Sequence, residues 1–176
     1  VWMDHRATGE AVEINAGKHE VLRYVGGVIS PEMETPKLLW LKRNLPIPFA
    51  KTAHFFDLAD YLTWRATGSL SRSACTVTCK WTYLAHENRW DADYFRAIGL
   101  HEMVDEGFRR IGTEIVDPGT PLGGGLTEAA AADLGLLAGT SVGASLIDAH
   151  AGGIGTLGGT DADGHSDVKG RLAYIF

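Results

Sequence analysis

Residues 141–155 read SVGASLIDAHAGGIG, an apolar run that leads directly into a glycine-rich segment. The apolar part, residues 141–147, predicts a short buried strand with Asp148 at its carboxyl end. Folds that alternate helices and strands place ligands at this end of a strand. We therefore interpret Asp148 as a candidate general base. Two structural alternatives stay open: Asp148 caps the next helix, or it holds a loop in place.

Three glycines follow Asp148 closely: Gly152, Gly153 and Gly155. They would let a ligand or a second backbone come near. Residues 153–158 match GxGxxG formally, but they do not begin at a strand-to-helix turn, so close helix packing is the favoured use. His150 lacks the HxH or HExxH spacing of a metal ligand, and we interpret it as a hydrogen-bonded structural histidine.

The composition is that of one folded domain: 176 residues, 45% hydrophobic and 22% charged. Sixteen Lys and Arg against 22 Asp and Glu give a net charge of −6. This acidic balance argues against a protein that binds a nucleic-acid backbone. No apolar run approaches the roughly 18 residues of a membrane span. The first residues resemble neither an initiator Met nor a signal peptide, so we expect an internal part of a longer chain.

Two cysteines, Cys75 and Cys79, are spaced to share one face of a helix. Such a pair could hold half of a metal site. The sequence has no second pair and no histidine at a matching spacing, so no metal site is predicted. We interpret both as reduced, partly buried thiols, which favours a cytoplasmic location.

Hydrophobic spacing and capping residues predict helices between short strands, an α/β fold. Helices are predicted at residues 10–24, 36–45 (capped by Thr35), 49–67, 91–98, 102–111 and 128–134 (capped by Thr127). Strands are predicted at 114–116, 141–147 and 172–176. Residues 69–78 fit a strand, a turn or an exposed functional loop, and residues 160–169 fit a surface loop.

Charged residues at two places have the chemistry of sugar recognition. The carboxylate of Asp4 and the guanidinium of Arg6 can fork hydrogen bonds to neighbouring hydroxyls, with a solvated turn as the alternative. Lys80 lies between two residues that we expect to be buried, and it could contact a sugar hydroxyl or carbonyl oxygen. The alternative for Lys80 is an aliphatic stem that is buried while the ammonium reaches water.

The sequence resembles the FGGY family of carbohydrate kinases, most closely its ribulokinase-like branch. The matching stretches are WMDHRA (2–7), GVISPEMETPKLLWL (27–41), FDLADYLTWRATG (56–68), CKW (79–81), PGTPLG (118–123) and DAHAGG (148–153). The resemblance covers nearly the whole chain. The two aspartate motifs, around Asp4 and Asp148, stand in the family's order.

The resemblance implies a ribonuclease-H-like (actin-like ATPase) domain. Residues 1–176 would form part of the N-terminal sugar-binding and catalytic domain, without its first strands and without the second domain. It also implies ATP- and Mg²⁺-dependent phosphorylation of a ketopentose or related polyol, ribulose-like, at a primary hydroxyl. The implied roles are general base for Asp148, substrate binding for Asp4, Arg6, Ala7 and Lys80, and nucleotide binding for Gly152 and Gly153.

The family's two phosphate loops match no residue of this sequence. One is expected before Val1 and the other after Phe176, so we expect the chain alone to be inactive. The alternatives are a kinase of another polyol, of the xylulose or glycerol type, and a non-catalytic sugar-binding domain. The expected partners are a sugar or polyol and ATP, without nucleic acid or membrane. A homodimer is left open.

Overall fold

The computed structural model describes residues 3–160, 163–165 and 168–170, in two compact units that comprise Val1–Ser145 and Leu146–Phe176. The helices of the first unit are α1 (Thr8–Ala16), a 3-10 helix (Glu20–Val25), α2 (Glu34–Asn44), α3 (Pro46–Lys51), α4 (Leu58–Thr67), α5 (Ala74–Trp81), α6 (Ala92–Ala97), α7 (His101–Asp105) and α8 (Glu128–Leu134). The second unit contains α9 (Asp148–Gly158) and a 3-10 turn (Val168–Gly170). No helix within the described residues has both the length and the apolar character to cross a bilayer.

The core of the first unit is a cluster of apolar and aromatic side chains, many of them on the helices. Phe95, Leu100 and Met103 are fully buried. The Trp90 ring packs edge-on against Phe95, and its indole N–H donates to the Gly112 carbonyl at 2.9 Å. This hydrogen bond lets a large aromatic side chain be buried without leaving its polar atom unpaired.

Two short strands pair in parallel: β1 (Arg72–Ser73) and β2 (Ile115–Val116). The predicted strand at 114–116 is confirmed. Within the described residues these are the only strands. The predicted strand at 172–176 and part of the loop at 160–169 lie outside the described residues.

Residues 141–147 do not form the predicted buried strand. Their backbone pairs instead with the turn-rich residues 119–126: Ala144 donates to the Thr120 carbonyl, and Leu122 donates to the Val142 carbonyl, both at 2.8 Å. Only an isolated bridge, between Pro121 and Gly143, has strand geometry. Turns in residues 119–126 interrupt the ladder of hydrogen bonds, so residues 141–147 do not become part of a sheet.

Two predicted helices are divided in the structure. In 10–24, α1 ends at Ala16 and a 3-10 helix follows from Glu20, because Lys18 adopts a left-handed backbone with φ of 48°. Where one helix is predicted at 49–67, the structure instead contains the end of α3, an irregular segment and then α4. The side chain of Asp57 caps α4 by accepting the Ala59 N–H at 3.1 Å.

Two further boundaries differ from prediction. Helix α2 begins at Glu34, and the hydroxyl of Thr35, predicted as its cap, bonds the Tyr94 hydroxyl at 3.0 Å. The helix predicted at 102–111 ends at Asp105, because the chain turns with positive φ at Gly107 and Phe108.

Helix α8 is confirmed with its predicted bounds. The Thr127 hydroxyl accepts the Ala130 N–H at 3.2 Å, and Gly135 ends the helix in the left-handed region. Residues 69–78, where three alternatives were open, contain β1 and then most of α5. The side chain of Ser73 caps α5 by accepting the Cys75 N–H at 3.2 Å.

Candidate functional site

The first unit contains a cavity of about 320 Å³ next to the N-terminal turn. Its lining residues are Asp4, Arg6, Ala7, Lys37, Trp40, Leu41 and Leu45. Three of the residues predicted to bind substrate, Asp4, Arg6 and Ala7, therefore surround one space. Helix α2 and the residue after it supply the rest of the lining. We refer to this space as the Asp4 cavity.

Asp4 and Arg6, in the N-terminal turn before α1, form a forked ion pair. The Arg6 Nε donates to Asp4 Oδ1 at 2.8 Å, and Nη2 donates to Oδ2 at 2.6 Å. The guanidinium carbon lies 4.6 Å from the centre of the Trp40 ring. Two of five guanidinium N–H groups are thus used, and the other three have no partner among the described residues, which leaves them for a ligand or water.

The charges of this pair are mutually stabilised. The hydrogen bonds from the Arg6 guanidinium hold the pKa of Asp4 well below its usual range. The same bonds raise the pKa of Arg6. Asp4 is therefore an anionic acceptor and Arg6 a cationic donor, the two functions that a polyol hydroxyl needs from its site.

A second ion pair, between Lys37 and Glu34, borders the Asp4 cavity. The Lys37 Nζ lies 3.3 Å from Glu34 Oε1, and burial raises the pKa of Glu34. Lys37 and Glu34 also line a neighbouring cavity of about 670 Å³ that is rich in aromatic side chains, including Phe56 and Trp64.

Sequence reasoning missed Lys37 and Trp40 as lining residues of the Asp4 cavity. The available signal was their spacing, because residues three apart share one face of a helix. The sequence predicts only a helix over residues 37–41. The resemblance also included these residues without giving them a role.

Lys80 lies in the last turn of α5 and does not line the Asp4 cavity. Its neighbours are buried, as expected: Trp81 is almost completely buried and Cys79 is half-buried. Cys75 and Cys79 lie one helical turn apart on α5, and both are half-buried, as predicted. Burial raises the pKa of Cys79 to about 11, so it is a thiol rather than a thiolate at neutral pH.

Asp60 is a buried carboxylate that sequence reasoning did not single out. Only 1% of the residue is exposed. It accepts hydrogen bonds from the Ser73 N–H at 3.0 Å, the Thr76 hydroxyl at 2.5 Å and the Ser145 hydroxyl at 3.4 Å. Burial is the dominant influence and raises the pKa of Asp60. Asp60 thus ties α4 to β1, to α5 and to the end of the first unit.

Asp148 is the first residue of α9, in the second unit. Its side chain is exposed, and Oδ1 accepts the Ala149 N–H at 2.8 Å. The carboxylate thus sits at a helix N-terminus, where negative charge is stabilised, rather than at the end of a strand. The N-cap of α9 is Ile147, so Asp148 does not cap the helix.

The glycines after Asp148 lie inside α9. Gly152 is exposed and Gly153 is buried. A Cβ at Gly152 or Gly155 would meet no atom of this unit within 4 Å, so close packing does not explain these two glycines within the unit.

Comparisons with known proteins agree with this architecture. Residues 1–155 match the model of the N-terminal domain of the FGGY family of carbohydrate kinases. An FGGY carbohydrate kinase domain-containing protein of Danio rerio is 56% identical over 140 residues, 79% of this chain and 26% of the relative. A D-ribulokinase of Saccharomyces cerevisiae is 40% identical over 146 residues, 77% of this chain and 20% of the relative.

Among solved structures, a xylulose kinase of Lactobacillus acidophilus superposes with a TM-score of 0.70 at 18% identity, over 88% of this chain and 30% of that chain. This similarity confirms the predicted fold, a partial ribonuclease-H-like (actin-like ATPase) domain. The chain spans about a quarter of the length of the curated relatives it matches, as the 26% and 20% coverage show.

Proposed function

This chain belongs to the FGGY family of carbohydrate kinases, and we propose that it supplies the sugar-binding part of an ATP-dependent kinase of a ketopentose or related polyol, ribulose-like. The observation that carries the proposal is the Asp4 cavity, which gathers Asp4, Arg6 and Ala7. The similarity to a protein named D-ribulokinase supports the ribulose-like substrate.

The size and polarity of the cavity fit a small polyol. Its volume of about 320 Å³ lies at the lower end of the range for small-molecule sites, roughly 300–1,000 Å³. A neutral sugar has hydroxyls that both donate and accept. Asp4 offers acceptor oxygens and Arg6 offers unused donors, so one wall can engage two adjacent hydroxyls.

We assign Asp148 the role of general base. In the proposed step, the primary hydroxyl attacks the γ-phosphorus of ATP, and its proton passes to the Asp148 carboxylate. The new oxygen–phosphorus bond forms as the bond between the γ-phosphorus and the β–γ bridging oxygen breaks, with ADP as the leaving group. The exposure of Asp148 supports this role, since a base must come within a hydrogen bond of the hydroxyl.

When bound, ATP supplies the phosphoryl group and Mg²⁺ offsets its negative charge. From this chain we assign only Gly152 and Gly153 to the nucleotide. The open surface at Gly152 fits the approach of a phosphate, because no neighbouring atom of its unit would crowd it. We assign Mg²⁺ no ligand among the described residues.

Lys80 is proposed as a further sugar contact. A cytoplasmic location also belongs to the proposal.

A coupled ADP assay tests the function on a full-length kinase that contains this chain, with D-ribulose, L-ribulose, D-xylulose, ribitol and glycerol as acceptors. Asp148→Asn should lower kcat by roughly 10²–10⁴-fold, the usual contribution of a general base, with sugar binding retained. Arg6→Ala should mainly raise KM for the sugar. Arg96→Ala, which breaks an exposed ion pair with Asp105, serves as the matched control.

The pattern across the five acceptors decides between the candidate functions. Turnover with ribulose favours the proposed substrate, and turnover only with xylulose or glycerol would assign the chain to the other polyol kinases. Sugar binding without ADP formation would identify a non-catalytic sugar-binding protein. Full activity in Asp148→Asn would contradict the assigned base.

A further inference from the structure

Lys37 is a cation on the wall of the Asp4 cavity whose hydrogen bonds are incompletely used. Its side chain is 18% exposed, and among the described residues its ammonium contacts only Glu34, at 3.3 Å. An ammonium carries three donors, and charge-assisted bonds to carboxylates are typically about 2.7–2.9 Å. The contact with Glu34 is therefore loose, and two donors are left for another partner.

Lys42, on the same helix, shows the contrasting arrangement. Its ammonium donates to the Gly99 carbonyl at 2.7 Å and lies 2.6 Å from one oxygen of Glu102 and 2.8 Å from the other. Lys42 is thus closely paired on several sides. A mostly buried cation is costly unless it is well paired, so the loose pairing of Lys37 calls for a further partner.

The surroundings of Lys37 indicate what that partner is. Lys37 lines the cavity that also holds Asp4 and Arg6, and its positive charge contributes to the lowered pKa of Asp4. The two described carboxylates near it are Glu34, which it contacts loosely, and Asp4, which Arg6 already engages with two hydrogen bonds. Lys37 also lines the neighbouring cavity, whose lining is mostly aromatic, whereas the Asp4 cavity contains the polar groups of Asp4 and Arg6. The unused donors therefore fit acceptor atoms of a polar molecule inside the Asp4 cavity.

We propose that Lys37 contacts the substrate directly, donating a hydrogen bond from α2 to a hydroxyl oxygen of the bound sugar, and so helps to determine which polyol is accepted. This inference rests on the proposed function. It adds a donor from a helix more than thirty residues along the chain to the donors and acceptors of the N-terminal turn.

The test uses Lys37→Met in a full-length kinase that contains this chain, with Lys42→Met as the control on the same helix. Lys37→Met keeps the length of the aliphatic stem but removes the donors. We expect KM for the sugar to rise by roughly ten- to a hundredfold, as for loss of a charged hydrogen bond, with KM for ATP unchanged. Circular dichroism and the thermal midpoint verify folding, and Lys37→Gln repeats the test if the Met variant unfolds.

Glu34→Gln separates substrate contact from a structural role. If Lys37 only neutralises Glu34, the double variant Glu34→Gln/Lys37→Met should recover the wild-type KM. If Lys37 contacts the sugar, the double variant stays impaired. A series of deoxy sugars adds a second readout, because the analogue that lacks the contacted hydroxyl should lose nothing further in Lys37→Met.

The outcomes distinguish this inference from the proposed function. An active wild-type kinase with an unchanged KM in Lys37→Met, or with KM restored in the double variant, would overturn the inference alone. A wild-type protein that neither binds nor phosphorylates any sugar or polyol would overturn the proposed function, and the inference with it.

Discussion

Asp4 and Asp60 are carboxylates whose surroundings move their pKa values in opposite directions. Asp4 is held by two hydrogen bonds from the Arg6 guanidinium, which lower its pKa. Asp60 is buried, and the loss of solvent raises its pKa despite the hydrogen bonds from Thr76 and Ser73 and the nearby positive charge of Arg72. Charge pairing thus favours the ionised form of Asp4 beside the Asp4 cavity. Burial disfavours the ionised form of Asp60, whose hydrogen bonds join separate elements of the fold.

The raised pKa of Asp60 predicts a measurable pH dependence. A group whose pKa is higher in the folded state favours folding below its unfolded pKa, and this contribution is lost as pH rises through the folded pKa. Asp60→Asn removes this titration. The stability of the wild type relative to Asp60→Asn should therefore increase as pH falls from 7 to 4, as measured by urea unfolding at several pH values.

The exposed variant Asp105→Asn is the matched control for Asp60→Asn. Asp105 forms a surface ion pair with Arg96 at 3.0 Å, and such pairs contribute little to stability. If the stability of the wild type relative to Asp60→Asn stayed constant across this pH range, that result would contradict the burial argument.

At the scale of elements, local chemistry determined what the sequence could predict. Helix α8 was predicted with correct bounds, because Thr127 caps it and Gly135 ends it. Residues 141–147 were mispredicted because their partner is a turn-rich segment rather than a strand. The start of helix α5 depends on the Ser73 cap and on hydrogen bonds to Asp60, which is distant in sequence. Long-range partners of this kind are invisible to local patterns.

The turn at Gly125 holds the segment 119–126 against residues 139–144. Gly125 has a φ of +81°, and an added Cβ would lie 2.5 Å from the Thr140 carbonyl oxygen and 2.6 Å from that of Gly139. These are backbone atoms of a paired segment: the Leu126 N–H donates to the Thr140 carbonyl, and the Gly139 N–H donates to the Leu126 carbonyl, both at 2.8 Å. A side chain at position 125 therefore requires the paired segments to separate.

Gly125→Ala should lower the unfolding free energy by roughly 2–4 kcal/mol, from backbone strain together with the steric clash. The neighbouring Gly124→Ala is the control, because a Cβ there would meet no atom within 4 Å. Its effect should stay within about 0.5 kcal/mol. If urea unfolding showed equal losses of unfolding free energy for the two variants, the close approach of Gly125 to the paired segment would be contradicted.

For the whole molecule, the residues that the sequence brought together for the candidate site are the contiguous ones. Asp4, Arg6 and Ala7 lie within four residues, and the resemblance identified them together. Lys37 and Trp40 join them only through the packing of α2 beside the N-terminal turn. Lys80, predicted for the same pocket, does not line the cavity. The motif thus identified three residues that line the cavity, and the packing of α2 added the rest of the lining.

This chain corresponds to only part of the kinases that it resembles. Residues 1–155 match the N-terminal domain of the family, and the chain spans about a quarter of its relatives, such as 26% of the Danio rerio protein. Phosphoryl transfer depends on holding the triphosphate in line with the hydroxyl, and only Gly152 and Gly153 of this chain are proposed to contact the nucleotide. We expect no sugar-dependent ADP formation from the isolated chain, measured beside its Asp148→Asn version. A rate above that variant would contradict the prediction, because it would place both the base and a working nucleotide site within these residues.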